Sequence, residues 1–250
     1  MVQVCNRAGI EIMRPLEIKS LYFRYEEHGK KILDGIDLSL NSGEIFSILG
    51  LSGCGKSTLC YCMCGIIPHV YKGFLEGEVL VFGRPVSEAR LPVISTRIGI
   101  VFQDPDTQLF SPTLEDEIAF GPENLCLNRP EIGARIDENL KITGLGQYRD
   151  QHPEKLSGGE KQLGAIASVM ALGPEVIIMD ESLSQIDSGG RARIKETILR
   201  LRNNGKTVVM IEHDMENLDI ADRVFFMKEG RLKRINKNRT GDIVDLYRSG

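Results

Sequence analysis

The sequence contains no apolar run approaching the ~20 residues that a membrane-crossing helix needs. Apolar runs such as "EVIIMD" and "KTVVMIEH" have the length of buried strands instead. It also lacks a strong excess of one charge: 31 basic against 35 acidic residues leave a formal net charge of -4. That balance does not describe a chain that grips nucleic acid through its overall field. The opening "MVQVCNRAGIEIMRP" has no long apolar centre of the kind that marks a secretory signal. Without an export signal, the six cysteines read as reduced thiols, not as a disulfide framework. The expectation is a protein that works inside the cell. No repeat or low-complexity tract is visible.

The chain does hold enough for a sizeable core. Its 250 residues, 42% hydrophobic and 26% charged, suit one large globular unit or a unit with an inserted subdomain. Apolar runs recur at "LEIKSLYFRY", "IDLSL", "EIFSILG", "GEVLVFG", "RIGIVF", "EVIIMD", "KTVVMIE" and "RVFFMKEG". Several are nearly continuous, the mark of strands covered on both faces. Between them the pattern predicts helices over Lys56 to Gly65, Thr113 to Phe120, Pro130 to Thr143, Gly159 to Leu172, Ser188 to Asn203 and Met215 to Ile220. Strands alternating with helices predict an α/β fold with a largely parallel sheet. The opening quarter is strand-rich, whereas about 104–172 is mostly helical and punctuated by prolines, which predicts a helical subdomain inserted in the core.

In "EIFSILGLSGCGKSTLCYCMCG" an apolar strand runs into Gly50, Ser52, Gly53, Cys54, Gly55, Lys56, Ser57 and Thr58, then into a helix. This is the Gly-x-x-x-x-Gly-Lys-Ser phosphate loop in its strand-loop-helix setting. Glycines let successive backbone N–H groups curl around phosphate oxygens that face the positive helix end. Lys56 would reach the β and γ phosphates, and Ser57 would offer its hydroxyl to Mg²⁺. The bland alternative is a chance glycine-rich turn. Beyond the loop, Cys60, Cys62 and Cys64 step by two; residues two apart do not share a helix face, so core packing is the expected role.

"EVIIMDES" is an apolar strand ending in two carboxylates, Asp180 and Glu181. One suits an outer contact with Mg²⁺ and the other a base that polarises water, the strand end relaxing the rule that neighbours point to opposite faces. Shortly before that strand, and far downstream of the first loop, "KLSGGEKQ" presents a Ser-Gly-Gly turn opening a helix, again chemistry suited to an anion.

With these motifs the chain resembles the nucleotide-binding subunit of ATP-binding cassette transporters over nearly its whole length. The order is an aromatic (Tyr25), the Walker A loop (Gly50 to Thr58), a glutamine after a strand (Gln103), and the signature "LSGGE" (Leu156 to Glu160). The Walker B strand (Val176 to Glu181), a D-loop "SQID" (Ser184 to Asp187) and a switch histidine in "IEHD" (His213) complete it. The resemblance implies a P-loop NTPase core that binds ATP and Mg²⁺. It implies that Tyr25 stacks on adenine, that Ser57, Gln103 and Asp180 serve Mg²⁺, and that Glu181, Gln103 and His213 are catalytic. It further implies a head-to-tail pair of cassettes, in which Ser157, Gly158, Gly159 and Glu160 of one close over the ATP held by the other while Asp187 orders the interface. Physically, amide donors and a helix N-terminus strengthen as charge grows in the transition state.

"VFQDPDTQLFSPTLEDEIAFGPENL" and "GIIPHVYKGFLEGEVLVFG" resemble energy-coupling factor ATPases in particular. That group implies import of a vitamin or transition-metal ion. The second ATPase, identical or paralogous, joins a transmembrane coupling protein and a membrane protein that captures the substrate, placing this chain at the cytoplasmic face of the membrane. Leu109, Phe110, Leu114, Ile118 and Phe120 are expected around an exposed junction where a partner helix could dock, with internal packing as the alternative. The chain departs from the family at Ser182 (for proline), Leu163 (for arginine) and "SLSQID". His28, His69 and His152 are expected in solvated loops, and the basic run Lys228, Arg231, Lys233, Arg234, Lys237 and Arg239 as a solvated face. Two rival functions are a soluble cassette ATPase acting on nucleic acid or ribosomes and a regulatory cassette that never hydrolyses its nucleotide. The first lacks a second cassette, a coiled-coil insertion or an extended basic region, and Glu181 and His213 argue against the second.

Overall fold

The fold is built around one strand, Ile45–Gly50, whose six residues are all buried. Its side chains alternate: Ile45 and Leu49 enter one apolar cluster, Phe46 and Ile48 the other. The same alternation holds in Val208 and Met210 against Val209 and Ile211, and in Ile177 and Met179 against Val176 and Ile178. A sheet with core on both faces needs apolar residues at every position, which is why these segments read as continuous runs.

The structure is a computed structural model describing residues 14–184 and 186–236, with the backbone of two further strands near the amino end. In chain order the elements are β1 (Val4–Asn6), β2 (Gly9–Glu11), β3 (Leu16–Arg24), β4 (Leu33–Leu40), β5 (Ile45–Gly50), α1 (Lys56–Met63), α2 (Ile66–His69), β6 (Phe74–Val81), β7 (Arg84–Pro85) and α3 (Leu91–Ser95). Then come β8 (Ile98–Val101), α4 (Leu114–Asn124), α5 (Arg129–Thr143), α6 (Gly158–Ala171), β9 (Val176–Asp180), α7 (Ser188–Asn203), β10 (Thr207–Glu212), β11 (Arg223–Lys228) and β12 (Arg231–Ile235).

Six strands form the central sheet in the order β12-β11-β5-β10-β9-β8, parallel except for the antiparallel β11–β12 edge. A second sheet, β4-β3-β6-β7, is antiparallel. It shares the apolar cluster of Phe46, Ile48 and α1. On the opposite face α4, α5, α6 and α7 cover the sheet. The parallel order sends the carboxyl ends of β5, β9 and β10 to one edge, the usual place for a ligand in such folds.

The stretch between β8 and β9 is helical, with α6 packed on α4 and α5. Side-chain caps fix its helix starts: Thr113 for α4, Asn128 for α5 and Ser157 for α6. The expected elements differ in detail. Helix α4 runs through Pro122 to Asn124, and 215–220 is a 3₁₀ helix, not an α-helix. The basic run ends β11 at Lys228 and continues into the edge strand β12, whose residues are exposed or half-buried, as expected of a solvated face; there Arg231 pairs with Asp34 at 2.6 Å. Lys237 and Arg239 lie outside the described residues. His69 is part-buried with Nε2 2.8 Å from the Val86 carbonyl oxygen, which corrects its reading as a solvated loop residue.

Candidate nucleotide site

The loop 50–58 follows β5 directly and must turn sharply to enter α1. Gly53 and Gly55 do this with φ of 77° and 109°, values that L side chains resist. Gly50 is needed for a different reason: a Cβ there would lie 2.6 Å from the Met227 carbonyl oxygen of neighbouring β11. The turn between β11 and β12 also braces the loop, since the Gly230 N–H donates to the Cys54 carbonyl at 3.2 Å. Burial pushes the Cys54 thiol upward. Cys60, Cys62 and Cys64 are buried in the core behind the loop.

Lys56 is 5% exposed, and its Nζ donates to the carbonyls of Gly50 at 2.8 Å and Leu51 at 3.1 Å. It also lies 3.4 Å from Glu181. Ser57 hydrogen-bonds the carboxylate of Asp180. Burial raises the Asp180 carboxyl above its ordinary range, the Ser57 bond opposes this, and the neighbouring charge of Glu181 adds to it. Oδ1 of Asp180 is buried and has no hydrogen-bond partner. Ser52 and Gly53 are exposed at the mouth of the loop.

Asp180 ends β9, and the next residue leaves the extended conformation: Glu181 has φ of 49°. Its N–H donates to the Ile211 carbonyl of β10 at 3.0 Å. Its carboxylate sits between Lys56 and Nδ1 of His213, the latter 3.5 Å away. The adjacent carboxylates therefore serve one site through a left-handed residue, a conformation that costs on the order of 1–3 kcal/mol and persists where the surroundings fix it. Ser182, buried in place of the family's proline, donates to the Val101 carbonyl at 3.4 Å.

Gln103 is exposed just after β8 and donates to Ser184 Oγ at 3.4 Å, so it joins the segment after Glu181. Tyr25 is 45% exposed, packs edge-on against Phe23 at 4.8 Å, and has its hydroxyl 3.3 Å from Thr58 Oγ1. The Ser-Gly-Gly turn stands at the start of α6. Ser157 and Glu160 form a reciprocal capping box, with the Ser157 N–H donating to Glu160 Oε2 at 2.9 Å. Hydrogen bonds from the Tyr148 hydroxyl and then the Ser157 N–H hold the Glu160 carboxyl down to about 2. Ser157 and Gly158 face solvent. Gly159 is tight against α7, where an added Cβ would meet Gly190 Cα at 3.0 Å. Asp187 caps α7 by accepting from the Gly190 N–H at 2.6 Å. Of the "SQID" stretch, Gln185 lies outside the described residues.

The sequence reading missed two features. Gln162, buried in α6, donates to the Phe102 carbonyl at 3.1 Å, while Gln108 accepts from the Phe102 N–H at 3.1 Å, so two glutamines clamp the residue before Gln103. The other is a buried pair, Glu212 and Asn217, beside His213. Neither carries a sequence signal stronger than a polar residue inside an apolar run. At the expected junction Phe110 and Phe120 are 66% and 47% exposed and meet edge to face at 4.8 Å. Leu114 and Ile118 are buried in the core, so they leave the expected surface set.

A family model described as "ABC transporter" matches residues 33–184. A putative ABC transporter ATP-binding protein of Methanosarcina mazei is 41% identical over 219 residues, covering 87% of this chain but 38% of its own length. The chain thus spans well under half of that relative. The energy-coupling factor transporter ATP-binding protein EcfA of Methanocaldococcus jannaschii is 38% identical over 220 residues, 87% of this chain and 77% of that protein. Among solved structures, CbiO1 of Clostridium perfringens, described as part of the ABC transporter complex cbiONQ, superposes with a TM-score of 0.83 at 34% identity over 94% of each chain.

Proposed function

We propose a function from one premise: the chain belongs to the ABC transporter family. It binds ATP on the loop 50–58 and hydrolyses it as one of two paired cassettes, which drive a membrane importer of the energy-coupling factor type. The observation that carries this reading is the split between two anion-seeking helix starts. Lys56, Ser57, Asp180, Glu181 and His213 converge at one strand edge. Ser157 and Gly158 stand in solvent at the head of α6, as a half-site for a partner's nucleotide must.

In the proposed reaction Lys56 exchanges its loop carbonyls for the β and γ phosphates. Glu181 accepts a proton from the attacking water, held between Lys56 and His213. His213 hydrogen-bonds the γ-phosphate, and Tyr25 offers its exposed ring to adenine. Ser157, Gly158, Gly159 and Glu160 close over the partner's ATP, with Asp187 fixing the start of α7 beneath them. The unpartnered, buried Oδ1 of Asp180 beside the Ser57 hydroxyl fits a divalent cation. Ser57, Gln103 and Asp180 would hold Mg²⁺, which when bound neutralises phosphate charge.

The partners that fit are a second cassette, identical or paralogous, a transmembrane coupling protein, and a membrane protein that captures a vitamin or transition-metal ion as cargo. The exposed Phe110–Phe120 pair, with Leu109 part-buried beside it, would seat an amphipathic helix of the coupling protein. Among the described residues no helix is long and apolar enough to cross a membrane. A peripheral place on the cytoplasmic face follows from this reading. The test is a mild-detergent pull-down with partners identified by mass spectrometry, together with phosphate release by the purified assembly and by its Glu181→Gln version. Membrane partners and loss of release in the variant are expected; capture of ribosomes or nucleic acid, or equal release, overturns the proposal.

A further inference from the structure

The turn that follows β10 holds a buried acid with no task in the chemistry above. Glu212, the last residue of the strand, is 2% exposed, and its Oε2 accepts a 2.9 Å hydrogen bond from Nδ2 of Asn217. Asn217 is equally buried, yet Oδ1 of the same amide has no hydrogen-bond partner. The pair closes the base of the 212–217 turn, whose second residue is His213. On the outer side, α7 holds the turn through Arg191, 3.6 Å from Glu216, and through Lys195, which donates to the Glu216 carbonyl at 2.8 Å.

A carboxylate at Glu212 would be buried beside two further acids, Glu181 and Asp214, with Lys195 as the offsetting cation. Burying such a charge without a direct ion pair is costly. A neutral carboxyl resolves both problems together. Facing a primary amide, it can form two antiparallel hydrogen bonds, N–H to carbonyl and O–H to amide oxygen, so Oδ1 of Asn217 gains the donor it lacks. Leaving a buried acceptor unsatisfied is costly, which biases the proton toward this site.

We propose that Glu212 is a positioning residue for His213 and works as a neutral carboxylic acid, locked to Asn217 so that the switch turn keeps one conformation. Burial, the largest cause, raises its carboxyl to about 7. The locked, protonated form therefore prevails below about 7 and is lost as pH rises through that value. A triphosphate beside His213 adds negative charge and extends the locked range upward. The role rests on His213 acting in hydrolysis, as argued above.

The experiment is ATP hydrolysis from pH ~6 to ~9, a span that brackets the group, by the full-length chain in its native assembly, as wild type, Glu212→Gln, Glu212→Ala and His213→Ala. Glutamine carries no charge and can give Asn217 an N–H donor. We expect it to keep kcat within about threefold at neutral pH and to remove the alkaline fall of the wild type, while alanine lowers kcat by about tenfold or more with KM for ATP nearly unchanged. Thermal stability gives an independent readout: Glu212→Gln should gain on the wild type as pH rises from the ordinary 4.5 to about 7. Superposable pH profiles of wild type and Glu212→Gln, or equal losses in the Gln and Ala variants, overturn the proposal. If His213→Ala hydrolyses at the wild-type rate, the reading of the site itself fails. If that variant is inactive while the profiles superpose, only the role of Glu212 falls. Should the Ala variant not fold, the Gln profile decides alone.

Discussion

Nζ of Lys56 lies 3.4 Å from Glu181 while donating to the carbonyls of Gly50 and Leu51. The cation thus rests on the groups that line the loop, and a phosphate offers it stronger, charged acceptors in the same place. Lys56→Ala should weaken ATP binding by about tenfold to a hundredfold, the worth of a charge-assisted bond of about 1.5–3 kcal/mol. Titration with a fluorescent ATP analogue checks this, and a circular dichroism spectrum matching the wild type shows that the fold is kept.

Glu181 is held by its backbone bond to Ile211 and its place between Lys56 and His213. Glutamine preserves that shape and removes the base. Glu181→Gln should lower kcat by ~10²–10⁴-fold and leave nucleotide affinity near that of the wild type. Single-turnover phosphate release separates the two effects.

Tyr25 is 45% exposed, and its hydroxyl reaches Thr58. If the ring stacks on adenine, Tyr25→Ala forfeits ~0.5–1.5 kcal/mol of aromatic contact, a loss of roughly twofold to tenfold in ATP affinity. Tyr25→Phe should stay within about twofold, because it keeps the ring and loses one long, part-buried hydrogen bond. Equal affinities of the Ala and Phe variants contradict the stacking role.

The capping box gives a prediction in pH. The Glu160 carboxyl is held at about 2 against an ordinary 4.5, so its stabilising effect is complete above 4.5 and is lost as pH falls from there toward 2. Glu160→Gln should flatten that acid limb in thermal melts. Ser157→Ala removes the cap at a cost of about 1 kcal/mol, or a Tm drop of roughly 2–4 °C at neutral pH. Its effect on ATP turnover should be far larger than that drop explains, if the serine also meets a partner's phosphate.

The central strands were legible because a strand with core on both faces has no polar alternation to obscure it; β5, β9, β10 and β11 fall within a residue or two of the apolar runs. The phosphate loop was equally plain, since Gly50, Gly53 and Gly55 are each required by a close approach or a positive φ. Edge and local structure was not. β12 reads as a basic run because one face of an edge strand meets solvent and its lysines and arginines dominate the pattern. Leu114 and Ile118 could not be told from Phe110 and Phe120, because a capped helix start places apolar residues on both sides of a boundary that only the packing decides. The Glu212–Asn217 pair was hidden for a related reason: a single acid at the end of an apolar strand looks like its boundary.

The most direct measurement is a structure of the ATP-loaded assembly carrying Glu181→Gln, which traps the nucleotide before cleavage. The account predicts that Ser157 and the amides of Gly158 and Gly159 from one cassette lie within about 3 Å of the γ-phosphate bound on the partner cassette's loop. A triphosphate enclosed by the groups of a single cassette, with every α6 start left in solvent, would contradict it.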